Sequence, residues 1–178
     1  MKKIMMAALA LAMIISASAQ YKPIDEGSSV QFKLKNFGFN TGGVFSGLKG
    51  TIDFNAEKPT EGKFDVTIEA ASVNTDNTSR DSHLKEEAYF DVKNHPQIRF
   101  VSTKIVGSGK AGNYSVTGNL TIKKTTKELS FPFTASQQGD GYLFNGDFKI
   151  NRKDYGVGGS STLSDGVEVL LKIQTRKR

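Results

Sequence analysis

Hydrophobic and polar residues alternate over eight stretches of the chain, which predicts eight half-buried β-strands. Val30, Phe32 and Leu34 share one face, with Gln31, Lys33 and Lys35 opposite. The next stretch places Val44, Ser46, Leu48, Gly50, Ile52 and Phe54 together, and the third Phe64, Val66, Ile68 and Ala70. After a break, Ile98 and Phe100 resume the alternation, with a change of phase near Val101. Tyr114, Val116, Gly118, Leu120 and Ile122 form the fifth inward set, and Leu129, Phe131, Phe133 and Ala135 the sixth. Pro132 falls on the outward face there and marks an edge-like or bulged position. Tyr142, Phe144, Gly146, Phe148 and Ile150 precede a polar, glycine-rich loop over 151–166, and Val167, Val169, Leu171 and Ile173 close the series. A bulge or bend is expected at Asn36-Phe37 and a turn at Gly42-Gly43; the short connections predict antiparallel neighbours.

One stretch, 76–100, departs from this period. Arg80, Leu84 and Ala88 recur at helical spacing, with His83 and Glu87 beside them. Thr78 reads as an N-cap, with Asp81 closing a capping box. About ten residues make roughly 15 Å of helix, enough to cap a small barrel. Pro96 ends the helical option, and Tyr89, Phe90 and Val92 predict a packed exit. Arg80, Asp81 and His83 either fasten this insert to the sheet or stand at a ligand entrance.

Eight strands with one apolar face bury it as a two-sheet sandwich or as a closed barrel. The interior of an eight-stranded barrel is filled by side chains or holds one small ligand. The inward set mixes phenylalanines with Ser46, Gly50, Gly118 and Gly146, residues that leave space or mark bends. It holds no metal-binding or acid–base group. A filled core and a cavity suited to hydrocarbon therefore both fit the pattern.

The first nineteen residues change the picture of location. Lys2 and Lys3 precede an apolar run from Ile4 to Ile15 and small residues at Ala17 and Ala19, which reads as a secretory signal peptide cleaved after Ala19. The run is too short to span a bilayer. Residues 20–178 then form a single domain, exported to a periplasm or secreted. The net charge of +6 becomes +4 once Lys2 and Lys3 leave. Lysines that alternate with core residues along strands, and a basic Arg176-Lys177-Arg178 tail, do not make a nucleic-acid surface. With no cysteine, disulfides and thiolate chemistry are excluded. No His, Cys or carboxylate cluster has metal-ligand spacing, and no Gly-x-Ser-x-Gly or His-Glu-x-x-His motif occurs. A hydrolase would have to draw on His83 or His95 with Asp81, Asp91 or Asp154.

Ser79-Arg80-Asp81-Ser82-His83-Leu84, Tyr89-Phe90-Asp91-Val92, His95-Pro96 and Phe100-Val101-Ser102-Thr103 resemble the central signature of the YceI-like family. Val116 to Ile122 resembles its next strand, and Ile150-Asn151-Arg152-Lys153-Asp154-Tyr155-Gly156 its late motif. The resemblance covers about Tyr21 to Ile173 and departs at Lys123-Lys124, where the family commonly has a His-Gly or similar turn. It implies an all-β fold: an eight-stranded antiparallel, lipocalin-like barrel with a short helical insert between the third and fourth strands. It implies an exported, non-enzymatic protein that needs no cofactor and holds an isoprenoid or other long-chain amphiphile inside. Phe32, Leu34, Val44, Leu48, Ile52, Phe64, Val66, Ile68, Phe100, Val116, Leu120, Phe131, Phe133, Phe144, Phe148, Val169 and Leu171 would line the tube. Arg80, Asp81, His83, Arg152 and Asp154 would form its polar mouth or brace its wall. A carrier or sequestering protein, a lipid-ester hydrolase and a filled-core domain acting through its surface are the functions to separate. The partner expected is a lipid, with neither nucleic acid nor a transmembrane segment, and a homodimer is possible.

Overall fold

Nine strand segments close into a barrel with eight walls in the computed structural model, which describes residues 19–159 and 162–178. Strand β1 (Gln20–Asn36) is long enough to pair with two partners on one side. Gln20-Tyr21 pair with β3 (Lys49–Asp53), and Val30–Asn36 pair with β2 (Phe39–Phe45). β2 and β3 are therefore two halves of one wall, the stretch expected as a single strand. The ring continues through β4 (Lys63–Glu69), β5 (Gln97–Gly107), β6 (Asn113–Ile122), β7 (Thr125–Gln138), β8 (Gly141–Asn151) and β9 (Gly166–Lys177). β9 returns to β1, and every pairing is antiparallel. The apolar faces are thus buried in a barrel and not in a sandwich.

The break between β2 and β3 has a local cause. Beside it, β1 carries a register shift between Ile24 and Ser29, and the Asp25 carboxylate within that stretch turns to the neighbouring β2–β3 wall. That carboxylate accepts from the amides of Gly47 (3.1 Å) and Leu48 (2.8 Å), donors left without a ladder partner. The Ser72 hydroxyl accepts from Ser46 N at 2.9 Å. The irregularity shifts the side-chain phase by one, so Phe45 points inward with Val30 while Val44 points outward with Gln31. The expected inward positions of Val44 and Ser46 are corrected accordingly.

The β1–β2 turn also differs from expectation. It lies at Phe37-Gly38, both at positive φ (49° and 84°), and Gly42-Gly43 continue the strand. Gly43 serves close approach: a Cβ there would stand 2.5 Å from the Asn74 carbonyl oxygen. The phase change near Val101 is a register shift between Ser102 and Lys104, and the buried Ser102 hydroxyl accepts from Phe64 N at 2.8 Å. Pro132 is exposed where it was expected to be edge-like: β7 pairs with β8 only from Phe133 to Gln138.

Helix α1 (Thr78–Leu84) is seven residues long, shorter than expected. Its N-cap is Asn77, whose side chain accepts from Arg80 N at 2.9 Å, and not Thr78. The capping box fails because the Asp81 carboxylate turns to the Thr75 amide at 2.9 Å. The expected 151–166 loop begins with a 3-10 turn, Arg152–Tyr155, capped by the Asn151 side chain on Lys153 N. The expected signal peptide lies, apart from Ala19, outside the described residues. Among the described residues no helix is long and apolar enough to cross a membrane.

Candidate functional site: a half-filled barrel

The large inward residues are unevenly spread along the barrel. The start of β1, the end of β3, the starts of β6 and β8 and the end of β7 bring Tyr21, Phe54, Tyr114, Phe133, Tyr142 and Phe144 together. Phe54 sits at the centre, 1% exposed, with ring centroids of Tyr114, Tyr142 and Phe144 at 5.1, 5.2 and 5.2 Å. Phe64 and Phe133 complete the cluster at 6.2 Å each. All but the tilted Phe64 contact are edge-on, a favoured geometry for aromatic rings, and together they close this end. Burial pushes the Tyr21 and Tyr114 phenols above their ordinary pKa.

The other half of the barrel encloses a cavity of about 440 Å3. Its floor is the inner face of the plug, formed by Ile52, Phe64, Phe133 and Phe144. Phe32, Leu34, Leu48, Val66, Ile68, Phe100, Val116, Leu120, Phe131, Phe148, Val169 and Leu171 line the walls. Of the apolar residues expected to line the tube, only Val44 is elsewhere, in a groove bordered by Asn74, Thr75 and Asp76. The interior glycines do not all make space. A Cβ on Gly118 would meet the Phe100 ring at 2.5 Å, so the phenylalanine already occupies that gap. Gly50 and Ser46 are exposed and add nothing to the cavity.

Val30, Ile122, Ile150, Val167 and Ile173, on the expected inward faces, line the cavity as well, whereas sequence reasoning missed Phe45, hidden by the phase shift, and the lining residues of the insert. Leu84 and Phe90 come from the insert: they pack with Phe45, Ile68, Val73 and Ile98 and roof the cavity. Tyr89 and Val157 close the neighbouring flank. The apolar exit predicted for the helix was the available signal for Tyr89 and Phe90.

Polar lining residues gather at the end opposite the plug, where β1 finishes and α1 and the 157–165 loop meet. Asn36, Thr41, Thr75, Arg80, His83 and Thr162 border the cavity there. Arg80 is both wall brace and lining: its Nε donates to the Thr75 hydroxyl at 2.7 Å and its Nη2 to the Thr75 carbonyl at 2.6 Å. Nη1 reaches the Thr41 hydroxyl at 3.3 Å, linking the insert to β2. Asp81 binds the same threonine and does not line the cavity. His83 lies against Tyr89, ring centroids 4.7 Å apart, with Nδ1 3.1 Å from Glu86.

Arg152 borders the cavity from below the loop and is 4% exposed. Its guanidinium donates to the carbonyls of Val157 (2.9 Å), Gly159 (3.2 Å), Leu163 (3.2 Å) and Ser164 (3.1 Å), and pairs with Asp165 at 3.2 Å. One side chain thereby fixes the course of the loop. Asp154 faces outward to Lys127 at 3.2 Å, away from the cavity. Lys123, at positive φ in the departing turn, donates to the Glu87 and Gly156 carbonyls at 2.8 and 3.0 Å and ties the insert to the late motif. Burial also raises the Tyr155 phenol pKa.

Of the pairings a hydrolase could draw on, His95 with Asp91 is formed, away from the cavity. His83 has Glu86 and Tyr89 beside it, and Asp81 is bound to Thr75. His95 stands 3.7 Å from Asp91, whose carboxylate also accepts from Asn94, and neither lines the cavity. Among the described residues no group of three His, Cys, Asp or Glu side chains is placed to hold a metal ion.

The family model described as the YceI-like domain matches residues 21–175. A UPF0312 protein of Pectobacterium atrosepticum is 30% identical across 98% of this chain and 97% of its own length. A UPF0312 protein of Pseudomonas savastanoi is 32% identical with the same coverage. Among solved structures, Burkholderia cenocepacia BcnA superposes with a TM-score of 0.80 at 28% identity, over 85% of this chain and 98% of its own. A polyisoprenoid binding domain from Saccharophagus degradans, implicated in plant cell wall breakdown, superposes at 0.71 over 89% of this chain and 98% of its own; at 13% identity it shares the fold.

Proposed function

The chain belongs to the YceI-like family, and from that premise we propose that it holds a long-chain amphiphile, an isoprenoid or similar lipid, in its barrel and acts as a carrier or sequestering protein. The observation that carries this reading is the cavity: about 440 Å3, walled mostly by aliphatic and aromatic side chains, with Asn36, Thr41, Thr75, Arg80, His83 and Thr162 gathered at one end. That volume lies within the range of small-molecule sites, roughly 300 to 1,000 Å3. Burying about ten methylenes contributes roughly 8 kcal/mol before ordering terms, enough for useful affinity without a single ion pair. The plug sets how deep a tail reaches, and the polar border suits a head group left near water. The Saccharophagus domain of the same fold is a polyisoprenoid binder, which supports the ligand class.

Export belongs to the same proposal. The basic start, apolar run and Ala17-Ser18-Ala19 would direct the chain across a membrane, where a water-soluble vessel for lipid is needed.

The test is direct. Purified full-length protein is extracted with organic solvent and the extract analysed by mass spectrometry, and delipidated protein is titrated with a fluorescent fatty acid and with a polyprenol. Co-purified chain lipid and saturable binding at one site are expected. Protein that carries no lipid and binds neither probe would refute the reading.

A further inference from the structure

Among the described residues, the large exposed apolar groups lie beside the mouth of the cavity. Phe37 is 75% and Phe39 79% exposed, on either side of Gly38 at the tip of the β1–β2 hairpin. Their exposure is not the fraying of a loose turn. Phe37 N donates to the Thr162 carbonyl at 3.2 Å, and Lys35 N and O bond to Ser164 at 3.0 and 2.8 Å. The Thr162 hydroxyl meets the Asn36 amide oxygen at 2.5 Å. The hairpin backbone is thus strapped to the loop that Arg152 organises, while the positive φ of Phe37 turns its ring outward. A Cβ at Gly38 would find nothing within 4 Å, so the tip projects freely. Asn36, one residue before Phe37, lines the cavity.

Charge distinguishes among the surfaces that could receive this tip. Lys33 and Lys35 are exposed on the same hairpin, and no Asp or Glu occurs between Glu26 and Asp53. Glu168 stands in register with both Lys33 and Lys149, one carboxylate among three lysines. Asp76 borders the same groove. A second copy would bring like charge against like charge. A bilayer with anionic head groups would attract the lysines and bury the two rings at the level where aromatic side chains partition.

We propose that Phe37 and Phe39 insert into an anionic bilayer surface and, with Lys33 and Lys35, dock the mouth of the barrel on it. Docking is read from the hairpin alone. That it delivers or collects the lipid held in the cavity rests on the function proposed above, since a tail could then move between bilayer and barrel without crossing water.

Flotation with vesicles of phosphatidylcholine and phosphatidylglycerol, and with phosphatidylcholine alone, tests the docking. The full chain should float with the mixed vesicles, more weakly with the neutral ones, and less as salt rises. Phe37→Ser/Phe39→Ser should lower partitioning by roughly tenfold or more for each ring removed, while titration with a fluorescent fatty acid stays unchanged. The chain has no tryptophan, so Phe37→Trp supplies a lone reporter whose emission should shift to the blue on mixed vesicles. Leu171→Arg, placed in the cavity wall, should lose the fatty acid and keep flotation. Failure of lipid binding in the wild type together with intact flotation would thus sink the cargo reading and spare the docking. Equal flotation of the serine variant, or an unshifted tryptophan, would overturn the docking. A serine variant that changes only from dimer to monomer by sedimentation velocity would reassign the tip to a contact between copies.

Discussion

Replacing Phe54 by alanine removes the ring around which the closed end of the barrel is packed. Phe54 touches Tyr114, Tyr142, Phe144, Phe64 and Phe133, and only 1% of its surface is exposed. Five surrounding rings anchored on four strands cannot collapse into the space, so most of the void should persist. A buried Phe→Ala change of this kind destabilises by about 3 to 5 kcal/mol, toward the upper end where the site cannot relax. For a domain of this length that corresponds to a fall in Tm of roughly 6 to 20 °C. The void has a second consequence. Phe64, Phe133 and Phe144 belong both to the plug and to the cavity floor, so the lost ring lies one layer below the floor. The variant should therefore accept a longer tail, seen by mass spectrometry as a shift of the bound-lipid distribution to greater length. Thermal melts followed by circular dichroism give the first quantity and the lipid extract the second. A loss below about 1 kcal/mol would refute the packing argument. A full loss of stability with an unchanged length distribution would place the depth limit elsewhere.

Three further outcomes follow from single contacts. Arg152→Met should destabilise by about 3 to 5 kcal/mol in urea titration, because several loop carbonyls lose a buried donor; hydrogen exchange at 157–164 should accelerate, and Arg152→Lys should not restore it, since one ammonium cannot replace the planar fork. Asp25→Ala strands the amides of Gly47 and Leu48 and should cost about 1 to 2 kcal/mol, measured the same way. The Asp65 carboxyl is held below its ordinary pKa by hydrogen bonds from Arg99 at 2.8 and 2.7 Å, so its contribution is present above the unfolded carboxylate value, about 4, and is lost as pH falls through the lower folded value. Asp65→Asn should accordingly lower Tm slightly at neutral pH, the pair being largely exposed, with the difference from wild type disappearing in strong acid.

The barrel was legible because alternation is a local property: each half-buried strand declares its faces without reference to its neighbours. What escaped was set by contacts across long sequence distances. Ser46-Gly47-Leu48 reads as a continuing strand, and only Asp25, in a strand that bends to meet it, shows that the ladder breaks there. From that break follow the outward Val44 and the inward Phe45. Gly42-Gly43 carries a turn signal as strong as that of Phe37-Gly38, and the difference lies in the Asn74 backbone against which Gly43 packs. Arg152 was visible as a motif residue, but its partners are mostly carbonyls, which every position possesses, so its role as the brace of the mouth could not be read from residue types.

The same distinction explains why pattern alone left a filled interior and a cavity equally open. Phenylalanines occur on six of the nine strands, and their number does not say whether they meet. Register decides it. Tyr114 pairs with Phe133, Phe133 with Gly146, and Phe64 with Ile52, which brings the rings of β4, β6, β7 and β8 to one level with Phe54, the residue after β3. At the other level β4, β6 and β9 present Val66, Leu120, Val169 and Leu171, side chains too short to meet across the barrel. Exchanging one of these for an aromatic, as in Val169→Phe, should extend the plug upward at little loss of stability, because the ring enters existing space. Shorter bound tails by mass spectrometry are the expected result. Unaltered tail length would mean that the guest does not reach past β9, and that the floor drawn here from Phe64, Phe133 and Phe144 is not where a tail ends.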